Sequence, residues 1–158
     1  MNELPEKLAK LMAPLFKEHP LSASMGSLLP KSRAPEKVYK IAESVESGLP
    51  TAELRAGLWL YVDDIDRSHK ICQDISNTVG AFWHGVVHRR EGDFGNSKYW
   101  FHQAGRLPFS IPGYDPARLV DAVSAARGNE LATLVALQRK EWMEMFTYCA
   151  NEAAQEKQ

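Results

Sequence analysis

Cysteine is scarce in this chain: 158 residues hold only Cys72 and Cys149. A secreted disulfide scaffold carries more, at closer spacing, so two reduced thiols inside helices are the expectation. Neither has a Cys-x-x-Cys neighbour or a basic helix start to lower its pKa, and both are expected to be inert. Long apolar runs are lacking as well, and nothing approaches the roughly 18–20 residues that a bilayer-spanning helix needs. Charge of one sign is also missing. With 19 Lys and Arg against 20 Asp and Glu, the net charge is -1, which gives nucleic acid or an anionic membrane no electrostatic hold. The opening Met1-Asn2-Glu3-Leu4-Pro5-Glu6-Lys7 puts acidic residues where a secretory leader has a basic and then an apolar region, so a cytoplasmic protein is expected. No stretch alternates apolar and polar residues with the β-branched richness of strands.

Helical periodicity is what remains. Leu4, Leu8, Leu11 and Leu15 recur at spacings of four, three and four, and Val38, Ile41, Ala42 and Val45 form a second stripe after Pro35. Thr51 suits a cap for a helical pattern over 52–75 that the acidic run Asp63-Asp64-Ile65-Asp66 divides into two shorter helices. A helix pair is expected over 77–91 and 94–105, turned at Gly92-Asp93, and Asp115-Pro116 opens another helix running to Gly128. The last helix carries Leu131, Leu134, Val135, Trp142, Met145, Phe146 and Cys149 on one side, before a polar tail from Asn151 expected to fray. Residues 20–34 and 105–116, rich in proline, glycine and serine, read as loops. The expectation is one all-α domain of six to eight helices, whose terminal stripes permit either a helix-mediated dimer or a closed monomer.

Residues 81–108 can be laid on the tetratricopeptide pattern, with Gly85 for close packing and Ser97 and Phe101 interlocking on the partner helix. A fainter copy precedes it at Ala56, Trp59, Ser68 and Cys72, and the offset from Ser68 to Ser97 is 29 residues. Two imperfect units predict two packed hairpins rather than a solenoid. His84 and His88 stand where that pattern wants Leu and Tyr facing inward.

The stretch Val79–Val87 (VGAFWHGVV) is apolar all round, so it should be a buried helix, with His84 its only ionisable residue. His84 and His88, spaced i, i+4, share the side lined by Gly80, Ala81 and Gly85, which leaves room for a ligand or for another helix. Four of the five histidines lie between His69 and His102. Three readings follow. In the first, His84 and His88 are imidazole ligands of a divalent metal completed by Asp63, Asp64, Asp66 or Glu91, and Asp66-x-x-His69 also has ligand spacing, although the glutamate of H-E-x-x-H is missing. In the second, the cluster is a small-molecule pocket covered by the two loops. Arg89 or Arg90 clamps a carboxylate or phosphate, Glu91, Asp93 and Lys98 add polar contacts, Tyr99 and Trp100 stack on the ligand, and His84 or His88 moves a proton. In the third, the histidines are hydrogen-bonded core residues of a tetratricopeptide-like interaction module, and Arg90 with Glu91 or Asp93 is a partly buried ion pair fixing the hairpin turn. Gly92-Asp93-Phe94-Gly95-Asn96 lacks the spacing and the preceding strand of a phosphate loop and is read as a turn.

The run Phe82-Trp83-His84-Gly85-Val86-Val87-His88-Arg89-Arg90-Glu91-Gly92-Asp93-Phe94-Gly95-Asn96-Ser97-Lys98-Tyr99-Trp100-Phe101 resembles the signature of a family of uncharacterised bacterial and fungal proteins. There a tryptophan–histidine pair leads into a histidine-arginine-arginine-glutamate block and a lysine/arginine-tyrosine-tryptophan helix. The segment Asp63–Gln73 is similar to that family's lead-in, and the resemblance spans about residues 56–108. It implies that these residues form a site and carries no role for any of them.

Overall fold

The computed structural model describes residues 3–127 and 130–156. Eight helices and no strand occur among them: α1 (Glu6–Glu18), α2 (Glu36–Glu46), α3 (Ala52–Tyr61), α4 (Ile65–Cys72), α5 (Thr78–Glu91), α6 (Phe94–Ala104), α7 (Pro116–Ala125) and α8 (Glu130–Glu156). No helix is long and apolar enough to cross a membrane among the described residues.

Five consecutive helices start where a short polar side chain can take up a free backbone N–H. Thr51, Asp64, Asn77, Asp93 and Asp115 accept from the amides of Leu54, Arg67, Gly80, Asn96 and Arg118 respectively. Each such cap contributes about 1 kcal/mol. α5 stops at Gly92, whose φ of 84° is left-handed and free of cost only for glycine. Near the other terminus α8 continues through Glu156, so the described part of the polar tail is helical, tied down by buried Ala153. Leu131, expected in the apolar stripe, is exposed. Gly128 and the end of the tail lie outside the described residues.

α5 runs through the middle, and every residue from Val79 to Arg90 is buried. Its own Phe82 and Trp83 are fully buried, as are Trp59, Trp142 and Phe146 in the same core cluster. The small residues on α5 admit neighbouring elements: a Cβ on Gly85 would lie 2.7 Å from the Phe101 ring of α6, and one on Gly80 would lie 2.0 Å from the Ile75 carbonyl oxygen. At Gly80 and Gly85 that side is taken up by close packing.

The hairpins α3–α4 and α5–α6 repeat each other bond for bond, at the 29-residue offset already visible between Ser68 and Ser97. Ser68 Oγ donates to the Ala56 carbonyl at 2.8 Å, and Ser97 Oγ donates to the Gly85 carbonyl at 2.6 Å. In the turns, the amide of Asp64 donates to Trp59 O and that of Asp93 to His88 O. The residue before each aspartate is left-handed: Asp63 at φ 62° and Gly92 at φ 84°. His84 and His88 of the second hairpin therefore correspond to Arg55 and Trp59 of the first.

A buried ionic layer ties α5 to its surroundings. Arg89, fully buried, donates to the Glu141 carboxylate and to Gln138 Oε1 of α8, while the Tyr114 hydroxyl donates to the other Glu141 oxygen at 2.6 Å. Arg90 pairs with Asp63 and donates to the carbonyls of Leu60 and Ser27. Gln138 Nε2 reaches Met25 O and Ser27 O, and Arg139 Nε reaches Ser24 O, so loop 20–34 is fastened to α8 and to the end of α5. Loop 105–115 is held by the Tyr114 bond and by Phe109, whose ring lies 5.7 Å from that of Phe82. Charges this deep cost several kcal/mol each to desolvate, by order of magnitude, and each arginine is paired with a carboxylate, although Arg89 Nε and Nη1 and Arg90 Nε make no hydrogen bond.

Candidate metal centre

The turn at Asp63–Asp64 sets α4 alongside α5, which brings His69 over the histidine pair spaced one turn apart on α5. One donor nitrogen from each of His69, His84 and His88 falls within 4.8 Å of the other two. His69 Nε2 and His84 Nε2 are 3.1 Å apart. Two imidazole nitrogens on one tetrahedral zinc-type ion, with bonds of 2.0–2.1 Å, stand about 3.3 Å apart, so this pair already has nearly the required separation. The His84 and His88 rings are stacked with centroids 4.8 Å apart, and the His69 ring meets both edge-on.

Exposure falls steeply across the cluster. The His69 side chain is 32% exposed and that of His88 is 9% exposed. His84 is buried, and the Trp100 ring of α6 covers it in a parallel stack. Burial, then the neighbouring His88 and His69, push the His84 pKa down to about 4, so at neutral pH it is an uncharged donor with a free lone pair. His88 Nδ1 is buried and makes no hydrogen bond. Two carboxylates flank it: Glu91 Oε2 at 3.6 Å and Asp93 Oδ2 at 3.9 Å. Glu91 Oε1 also stands 3.9 Å from His69 Nδ1.

The other residues singled out in the sequence divide clearly. Trp100 is at the centre, stacked on His84 itself. Arg89 and Arg90 are buried in ion pairs with Glu141 and Asp63 and so meet internal carboxylates. Asp63 is taken by Arg90, Asp64 caps α4 and accepts from the Tyr39 hydroxyl, and Asp66 is exposed outside the three-histidine group. Lys98 pairs with Asp121 at the surface, and Tyr99 is exposed, its ring edge-on to Trp100. Sequence reasoning missed Gln138 and Glu141, although their visible signal is two polar residues interrupting the apolar side of α8. Cys72 and Cys149 are free and buried, and burial raises both thiol pKa values, Cys72 to about 12.

Comparisons with family models, with curated proteins and with solved structures gave no match.

Proposed function

We propose that this helical domain binds one divalent metal ion of the zinc class through His69, His84 and His88, with the fourth coordination position turned toward solvent for water or a small-molecule ligand. The observation that carries this reading is the convergence of three imidazole nitrogens, from two helices, within 4.8 Å. Three histidines with one open position are the ligand set of catalytic rather than structural zinc. An ion held this way supplies Lewis acidity or an activated water, the chemistry of hydrolytic and hydration reactions. The chain's own contribution is positional. α5, buried on all sides, fixes the inner pair, Trp100 covers His84, and His69 on α4 closes the set from the solvent side. A small-molecule ligand then meets the protein at the metal, since Arg89 and Arg90 are engaged elsewhere.

The test is elemental analysis of protein purified without chelator or affinity metal, beside the double variant His84→Ala/His88→Ala, with circular dichroism to verify folding. Near-stoichiometric zinc, manganese or iron in the wild type and none in the folded variant is the expected result. A wild type that takes up neither zinc nor cobalt on direct titration overturns the reading and leaves the histidines as a hydrogen-bonded core cluster.

A further inference from the structure

Glu91 occupies an unfavourable place for an anion. It is the last residue of α5, where the unpaired carbonyls make the helix terminus negative, and a second carboxylate, Asp93, follows two residues later. Among the described residues, the ionisable groups paired with it are two imidazoles and no lysine or arginine: its Oε1 faces His69 Nδ1 at 3.9 Å and its Oε2 faces His88 Nδ1 at 3.6 Å. The two oxygens of one carboxylate thus address histidines on two different helices. Both contacts are to Nδ1, so neither uses the Nε2 of its ring. On His69 that Nε2 is the atom 3.1 Å from His84 Nε2.

Resting on the metal reading above, we infer that Glu91 is a positioning residue of the centre and not one of its ligands: it receives the Nδ1–H of His69 and of His88 and so holds both rings with Nε2 toward the ion. Three things follow from the chemistry. A neutral imidazole has one N–H, so fixing it on Nδ1 leaves the Nε2 lone pair for the metal. The carboxylate increases the basicity of both ligands. The buried Nδ1 of His88, which otherwise has no hydrogen-bond partner, gains one once metal draws the rings together by a few tenths of an ångström. Asp93 is the weaker candidate. It approaches His88 alone, at 3.9 Å, and its carboxylate already caps α6 through the Asn96 amide.

The experiment is titration of chelator-treated protein with cobalt(II), followed by its visible absorption, in wild type, Glu91→Gln and Asp93→Asn. A glutamine keeps the shape but turns an N–H toward one of the two rings. The expected result is a cobalt affinity lowered about 10–100-fold in Glu91→Gln, with the band shape of the wild type, and an Asp93→Asn affinity within about 2-fold of wild type. Three results overturn the inference while the metal reading stands. One is an unchanged affinity in Glu91→Gln. Another is a changed band shape in Glu91→Gln, which makes the carboxylate a ligand. The third is a larger loss in Asp93→Asn than in Glu91→Gln. A wild type that binds no cobalt overturns both readings, and circular dichroism of each variant separates these results from misfolding.

Discussion

The indole of Trp100 lies flat on the imidazole of His84, with ring centroids 4.0 Å apart and planes 9° from parallel. The chain has four tryptophans, and Trp59, Trp83 and Trp142 are fully buried elsewhere in the core, while Trp100 is half-buried against the histidines. A paramagnetic ion bound at the cluster therefore has Trp100 as the indole stacked directly on one of its ligands. Copper(II) or cobalt(II) is expected to quench tryptophan emission saturably in the wild type, and Trp100→Phe is expected to lose the larger part of that quenching. Equal quenching in both proteins would place the ion away from His84.

Arg89 and Glu141 test the buried ionic layer. Removing one partner of a buried pair leaves an uncompensated charge, so Arg89→Met is expected to cost about 3–5 kcal/mol. Arg89→Met/Glu141→Leu recovers most of that loss, because the lone charge is gone as well. Urea denaturation of the two variants checks this. Similar stabilities for the single and double variants would show that the cost comes from packing and not from charge.

Two glycines predict opposite signs. Gly85→Ala drives a methyl into the Phe101 ring, which sits on the facing helix and cannot yield freely, and overpacking of this kind costs about 1–3 kcal/mol. Gly95, on the first turn of α6, has open space around it, and there alanine is expected to add up to about 1 kcal/mol through helix propensity. Thermal melts of the two variants, shifted in opposite directions from the wild type, are the expected readout.

The thiols predict a null reaction in the folded state. Desolvation holds the Cys72 thiol at about 12 and raises that of Cys149 as well, so at pH 8 neither is appreciably ionised. A disulfide reagent is expected to titrate no thiol in native protein and both in denaturant. Fast native labelling would instead mark a locally opened α4 or α8.

Much of the fold was legible because its signals are local. Thr51, Asp115 and the Gly92 turn fix helix ends from a few residues each, and apolar spacing marked the faces of α1 and α2. The histidine pair was legible for the same reason, since i, i+4 on a helix is a spatial statement. Its third member was visible only as a spacing in Asp66-x-x-His69. That His69 and not Asp66 turns inward depends on how α4 docks on α5, which is a tertiary fact. Arg89 and Arg90 stayed ambiguous for a physical reason: a guanidinium reads the same in sequence whether it meets a ligand or an internal carboxylate, and the carboxylate of Glu141 lies 52 residues away. The polar tail likewise became helix because Ala153 packs into the core, a contact that local propensity does not contain.

The gradient of exposure from His69 to His84 carries a consequence for rates. An incoming ion sheds its water stepwise, and the first imidazole it can reach is the one at the rim. His69 would then govern how fast the centre loads, whereas the sheltered pair on α5 would govern how long the ion stays. Truncating the outer ligand should slow capture, and truncating an inner one should shorten residence. Two variants with equal equilibrium affinity could thus differ widely in the time they take to exchange zinc with a chelator.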